Sequence, residues 1–173
     1  MKKIIFVFVV LFGQMFFGQE KKEVLKIDWP KEHEWKVENK EENSEVDVIE
    51  AVPLQEGKEN RNIVFIYTRF KNLELYNVEF LKNFFIKAFK EDVLKGKITI
   101  LGESKNGERE WVLYKVENVN YIEEDNQSAV LYYILQGDKN THVFSIEVKE
   151  KSLSEEFVKK WSKVFKEGRL VNE

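Results

Sequence analysis

The amino-acid sequence predicts an α+β fold, a mostly antiparallel sheet with two amphipathic helices packed on it. Three observations lead there. Apolar residues fill or alternate through 111–116, 129–135 and 143–148, and the turn-formers between strands suit hairpins. Segments 77–94 and 152–168 instead repeat their apolar residues at helical spacing. Ahead of the first helix only 63–67 is apolar throughout, whereas a doubly wound parallel sheet needs several such strands.

The elements follow in order. Met1-Lys2-Lys3, an apolar run over 4–12 and a small residue at Gly18 form the pattern of a secretory signal peptide over 1–18. Gly13 and Gln14 interrupt the run, which is too short for a spanning helix of about 20 apolar residues. Residues 19–28 read as a flexible leader, and Trp29-Pro30 opens a single domain over 29–173. Trp35 and Val37 alternate with Lys36 and Glu38 in a short strand. Residues 46–52 make a second strand with neither face cleanly apolar, ended by Pro53. The third, 63–67, is the central strand, covered on both faces.

The first helix carries a stripe of Leu81, Phe84, Phe85 and Ala88, widened by Phe89, with Asn77 as N-cap and Gly96 as stop. Ile98 and Ile100 lie on the next strand, and Lys105-Asn106-Gly107 turns it into 111–116. Along 143–148 the set Phe144, Ile146, Val148 forms the buried face. In the last helix Ser152 and Glu155 fit a capping box. Phe157, Trp161, Val164 and Phe165 form its stripe with Leu153 and Val158, and Gly168 closes it. That stripe is expected on the meander, with Lys159, Lys160, Lys163 and Lys166 outward. The expected order is β-β-β-α-β-β-β-β-α.

This layout resembles the PsbP-like α/β/α sandwich family over about residues 29–168. The resemblance rests on Trp29-Pro30 and Trp35, on Pro53, on the helix after the third strand, and on the meander closed by Phe157, Trp161 and Phe165. It implies a noncatalytic accessory module, and carries over no ligand set.

Chemistry is sparse. With no cysteine, a diacylglyceryl anchor, disulfides and thiol catalysis are excluded. His33 and His142 stand at loop edges outside any zinc spacing and read as solvated. No G-x-S-x-G occurs, and 102–107 reads as a hairpin rather than a phosphate loop. Glu123, Glu124 and Asp125 are the best-placed carboxylates for acid–base work or a hard cation, but they lack the spacing of a calcium loop. Asn126-Gln127-Ser128 fits the glycosylation sequon. Without Lys2 and Lys3, the 28 basic residues fall to 26 against 31 acidic ones, a net charge of -5 that argues against nucleic acid.

One connection stands out. Arg69, Phe70, Lys71, Leu73, Leu75 and Tyr76 mix apolar groups with two positive charges, and Phe80 flanks the stripe of the helix that follows. These seven residues form the candidate binding surface, a groove for an anionic partner or ligand; the alternative is a loop folded over the core. The expected function is an exported (periplasmic or extracellular) noncatalytic binding or accessory protein with no cofactor. Its partner is another envelope protein or a small ligand. A carboxylate-dependent hydrolase acting on envelope or extracellular polymer, and a structural component of an envelope complex, are the alternatives.

Overall fold

A computed structural model describes residues 22–32, 34–56, 61–75, 77–104, 109–121 and 127–173. The signal pattern over 1–18, His33, Tyr76, the Lys105-Asn106-Gly107 turn and the Glu123-Glu124-Asp125 cluster lie outside them.

Two antiparallel meanders stand side by side in one seven-stranded sheet. The first comprises β2 (Trp35–Glu42), β3 (Val46–Pro53) and β4 (Ile63–Phe70). The second comprises β5 (Val93–Glu103), β6 (Trp111–Tyr121), β7 (Gln127–Gln136) and β8 (Thr141–Val148). β4 pairs with β8, giving the order β2-β3-β4-β8-β7-β6-β5. The sequence expectation of a mostly antiparallel α+β sheet holds, and β4 lies inside the sheet, third of seven, with one face buried and the other half-buried. Helix α1 (Val78–Asp92) carries the chain from β4 to the far edge strand β5.

Period two separates the faces. Phe65 and Tyr67 of β4, Leu131 and Tyr133 of β7, and Phe144 and Ile146 of β8 meet Trp161 and Phe165 of helix α2 (Glu155–Lys166) in one core. The intervening residues Val130, Ile134 and Val143 meet Leu81 and Phe89 of α1 in the other. One helix therefore covers each face. No described helix is long and apolar enough to cross a membrane.

Four expectations are corrected. The leader 19–28 is not loose where described: β1 (Glu23–Lys26) pairs antiparallel with β9 (Arg169–Asn172), an unforeseen strand. Leu25 is buried in the α2-side core, which fixes this ribbon in place. The stripe of α1 is rotated from the expected one. Leu81 and Phe89 are buried and Phe85 half-buried, while Phe84 and Ala88 are exposed. Asn77 caps that helix through Phe80 N–H (2.8 Å), but the chain enters β5 directly, and Gly96 lies inside that strand. There a Cβ would meet Val116 at 3.1 Å. Finally, the cap of α2 is Ser154, whose hydroxyl accepts from Phe157 N–H (3.2 Å), rather than Ser152. Leu153 and Val158 then occupy the two positions of a hydrophobic staple.

Candidate functional site

Sheet register builds a polar row on the α2 face. Asp47 on β3 stands opposite Arg69 on β4, and Arg69 stands opposite His142 on β8. All three share the parity of buried apolar neighbours, so the strands carry them inward. Exposures of 5%, 5% and 0% follow. Burial at this cost requires partners.

Asp47 collects three cations. Arg69 Nη2 forms an ion pair with its Oδ2, Lys71 Nζ reaches Oδ1 at 2.7 Å and Lys22 Nζ approaches Oδ2 at 3.3 Å. Burial tends to raise the Asp47 carboxyl. The Lys71 hydrogen bond, the Arg69 charge and Lys22 overcome it and hold the group below its usual range. Arg69 also donates from Nη1 to the Glu23 carbonyl (2.6 Å), tying the ribbon to the sheet.

The ribbon supplies a second chain of contacts. His142 Nε2 lies 3.0 Å from Glu23 Oε1, and Nδ1 lies 2.8 Å from the Tyr67 hydroxyl. With the ring neutral and its proton on Nε2, the imidazole donates to Glu23 and accepts from Tyr67. Glu23 also accepts from Asp138 N–H (2.8 Å) and Asn140 Nδ2 (3.1 Å). Gly137 permits this approach, since a Cβ there would collide with the Glu23 carboxylate and stand 2.9 Å from His142 Nε2. Burial raises the Glu23 carboxyl, but His142, the Asp138 amide and Asn140 outweigh it and hold it low. Burial likewise pushes His142 down, against the Glu23 hydrogen bond, and pushes Tyr67 up to about 12.

Glutamate, imidazole and hydroxyl in series resemble a proton relay. Tyr67, at the inner end of the series, is only 8% exposed, and the Leu25 amide also bonds its hydroxyl. The series links the ribbon to β8 and β4. Among the described residues no group of three or more side chains could hold a metal ion.

Above this row opens a basin of about 530 Å³ lined by Lys22, Glu23, Arg69, Lys71, Asn72, Asp138, Lys139, Asn140 and Asn172. Asn72 holds a left-handed conformation (φ 55) that asparagine tolerates, and its amide points to Asn140 Oδ1 (3.3 Å). A second hollow, of about 490 Å³, is lined by Trp29, Pro30, Lys31, Glu34, Trp35, Val37 and Ala51.

The seven residues singled out from the sequence divide. Arg69 and Lys71 line the basin. Phe70 and Leu73 are half-buried and pack with buried Leu75 in the α1-side core, where Phe70 lies 5.6 Å from Phe85. Phe80 is 53% exposed, and Tyr76 lies outside the described residues. Phe70, Leu73 and Leu75 thus seal the sheet, and Arg69 is a buried ion-pair partner rather than a free rim charge. His142 is also corrected, from solvated to wholly buried. Parity would have placed it, since Phe144, Ile146 and Val148 share its side of β8. Glu23, Tyr67 and Asp47 were missed. Tyr67 and Asp47 carried the same parity signal, whereas nothing local marked Glu23.

The chain matches no known family model, and no curated protein matches it.

Proposed function

We propose that this chain is an exported, noncatalytic binding or accessory module, and that the basin over Arg69 receives an anionic group of a small ligand. One observation carries the reading: the basin lining holds Lys22, Arg69, Lys71 and Lys139 against Glu23 and Asp138. The Glu23 carboxylate is committed to three donors, and Asp138 faces Arg109 at 3.3 Å. Asp47 neutralises part of the positive charge from behind, which orients the cations without occupying the opening. A carboxylate or sulfate group entering there meets ammonium and amide donors together.

The export half of the proposal rests on the signal pattern of residues 1–18. The PsbP-like sandwich is part of the same proposal, supported by one helix on each face of an antiparallel sheet. The hydrolase alternative asks for two open, facing carboxylates. The two that line the basin are otherwise engaged, which favours the binding module.

Titration with citrate and with sulfate, followed by amide NMR shifts, tests the site. Saturable shifts at Asn72, Lys139 and Asn140 that shrink with added sodium chloride are expected. Lys71→Ala should weaken them at least about threefold, less than 1 kcal/mol, as befits a partly exposed charge. Shifts absent at those residues with both anions would sink the assignment.

A further inference from the structure

The second hollow opens on the α2 face of the sheet and shares no lining residue with the basin. Its walls are two indoles that the core holds in place. Trp35 stands edge-on to buried Trp161 (centroids 5.7 Å apart, 90°), and Trp29 meets buried Phe65 at 4.5 Å and 69°. The two indoles lie 5.1 Å apart, tilted by 41°. Trp29 nevertheless stays 39% exposed, so part of its ring is offered to solvent. Ala51 of β3, opposite Val37 of β2, lines the hollow with a methyl group, and Val37 is 62% exposed. β2 ends the seven-stranded sheet, so no strand of that sheet stands beyond Val37.

The charged residues around these rings divide. Glu32 pairs with Lys160 of α2 at 2.8 Å, and Lys36 pairs with Glu38 at 3.0 Å. Lys31 and Glu34, the two that line the hollow, are exposed, and their side chains have no hydrogen bond or ion pair among the described residues. The backbone at Glu34 is fixed, since its carbonyl accepts from Leu54 N–H (2.6 Å). A preorganised aromatic wall therefore meets one free ammonium group and one free carboxylate. A ligand of either net charge is attracted by one and repelled by the other, and a wholly apolar ligand uses neither. The complement is a neutral ring with a flat apolar face and a rim of hydroxyls, which donate to Glu34 and accept from Lys31. Axial C–H groups on such a face turn slight positive charge toward the negative π-face of an indole.

We propose that this hollow is a carbohydrate subsite: Trp29 and Trp35 receive the C–H face of an uncharged pyranose with equatorial hydroxyls, as in a β-linked glucan or chitin-type chain, and Lys31 and Glu34 hydrogen-bond its rim. The open edge beside Val37 lets the polymer run on past β2. The volume of about 490 Å³ falls within the range of about 300–1,000 Å³ for small-ligand sites. A proline-rich peptide also docks on aromatic grooves, but its rings carry no donor for Glu34, which favours the saccharide. The subsite does not depend on the basin or its anion.

Cellotriose and chitotriose, titrated against the intact protein and followed by tryptophan fluorescence and saturation-transfer NMR, test the subsite. At least one should bind saturably and move the emission to shorter wavelength as Trp29 is covered. Added sodium chloride should leave this binding unchanged, unlike that in the basin. Trp29→Ala should weaken it at least about tenfold. Trp29 also packs on Phe65, so Glu34→Ala, at an exposed side chain, supplies a variant that keeps the fold and should weaken binding about threefold. Lys71→Ala in the basin should not alter it. The proposal is overturned if neither trisaccharide binds saturably, or if folded Trp29→Ala or Glu34→Ala binds as wild type does. Binding of an oligoproline peptide where both saccharides fail would equally overturn it.

Discussion

The two faces of the sheet are closed by helices of different quality. α2 turns Phe157, Val158, Trp161, Val164 and Phe165 to the sheet, none of them exposed, and presents Lys159, Lys163 and Lys166 to solvent. α1 has apolar residues on most of its circumference and seats only part of them, leaving Phe80 and Phe84 53% and 44% exposed. A helix whose apolar groups fill one arc has a single orientation of lowest free energy. When the arc is wider, the sheet selects which residues are buried, and sequence period alone does not. Leu81, Phe85 and Phe89 won on α1 because they meet Val112, Tyr114 and Val116 on that face of the sheet.

The largest test of that contrast is Trp161→Ala. Its indole is 2% exposed and packs edge-on against Trp35 and near-parallel to Phe65, so its loss should cost about 3–5 kcal/mol in urea melts. A cost below about 1 kcal/mol would erase the distinction between the helices. The polar end of the same face gives the next effect. Asp47→Ala strands Arg69 in the interior and should cost about 3 kcal/mol, whereas Asp47→Leu with Arg69→Met should lose clearly less. Equal losses would mean that packing, not charge pairing, holds the row together.

Much of this contrast was legible beforehand. The meander, the stripe of α2 and the interior position of β4 follow from period and turn chemistry, which are local. The polar row was half legible: the parity that buries Phe144 also buries His142, and the parity that buries Phe65 also turns Tyr67 and Arg69 inward. Reading a histidine at a strand end as solvated ignored that parity. Glu23 was not legible. Its partners His142, Asp138 and Asn140 lie more than a hundred positions away in sequence, and four residues of β1 carry too little pattern to show a strand. The apolar connection 70–75 was ambiguous for a similar reason, since its cover is the far side of the sheet.

Smaller effects sharpen the comparison of the helices. Ser154→Ala removes the hydroxyl that accepts from Phe157 N–H and should lower stability by about 1 kcal/mol, with Ser152→Ala near neutral. Reversal of those two would restore Ser152 as the cap. Phe80→Ala should change stability by no more than about 0.5 kcal/mol, since its ring is already in water. A loss comparable with Trp161→Ala would show that α1 buries more than its exposure indicates.

The pairing of β1 with β9 also sets the order in which the chain can be completed. During synthesis β1 leaves the ribosome before any other described strand, yet its ladder partner is made last. Until β9 emerges, Leu25 has no Leu170 opposite it, and Glu23 lacks the backbone hydrogen bonds of its own strand. The seam between β4 and β8 is delayed in the same way, because α1 and three strands must be translated between them. Such nonlocal pairings slow folding and leave unpaired edges on the nascent chain.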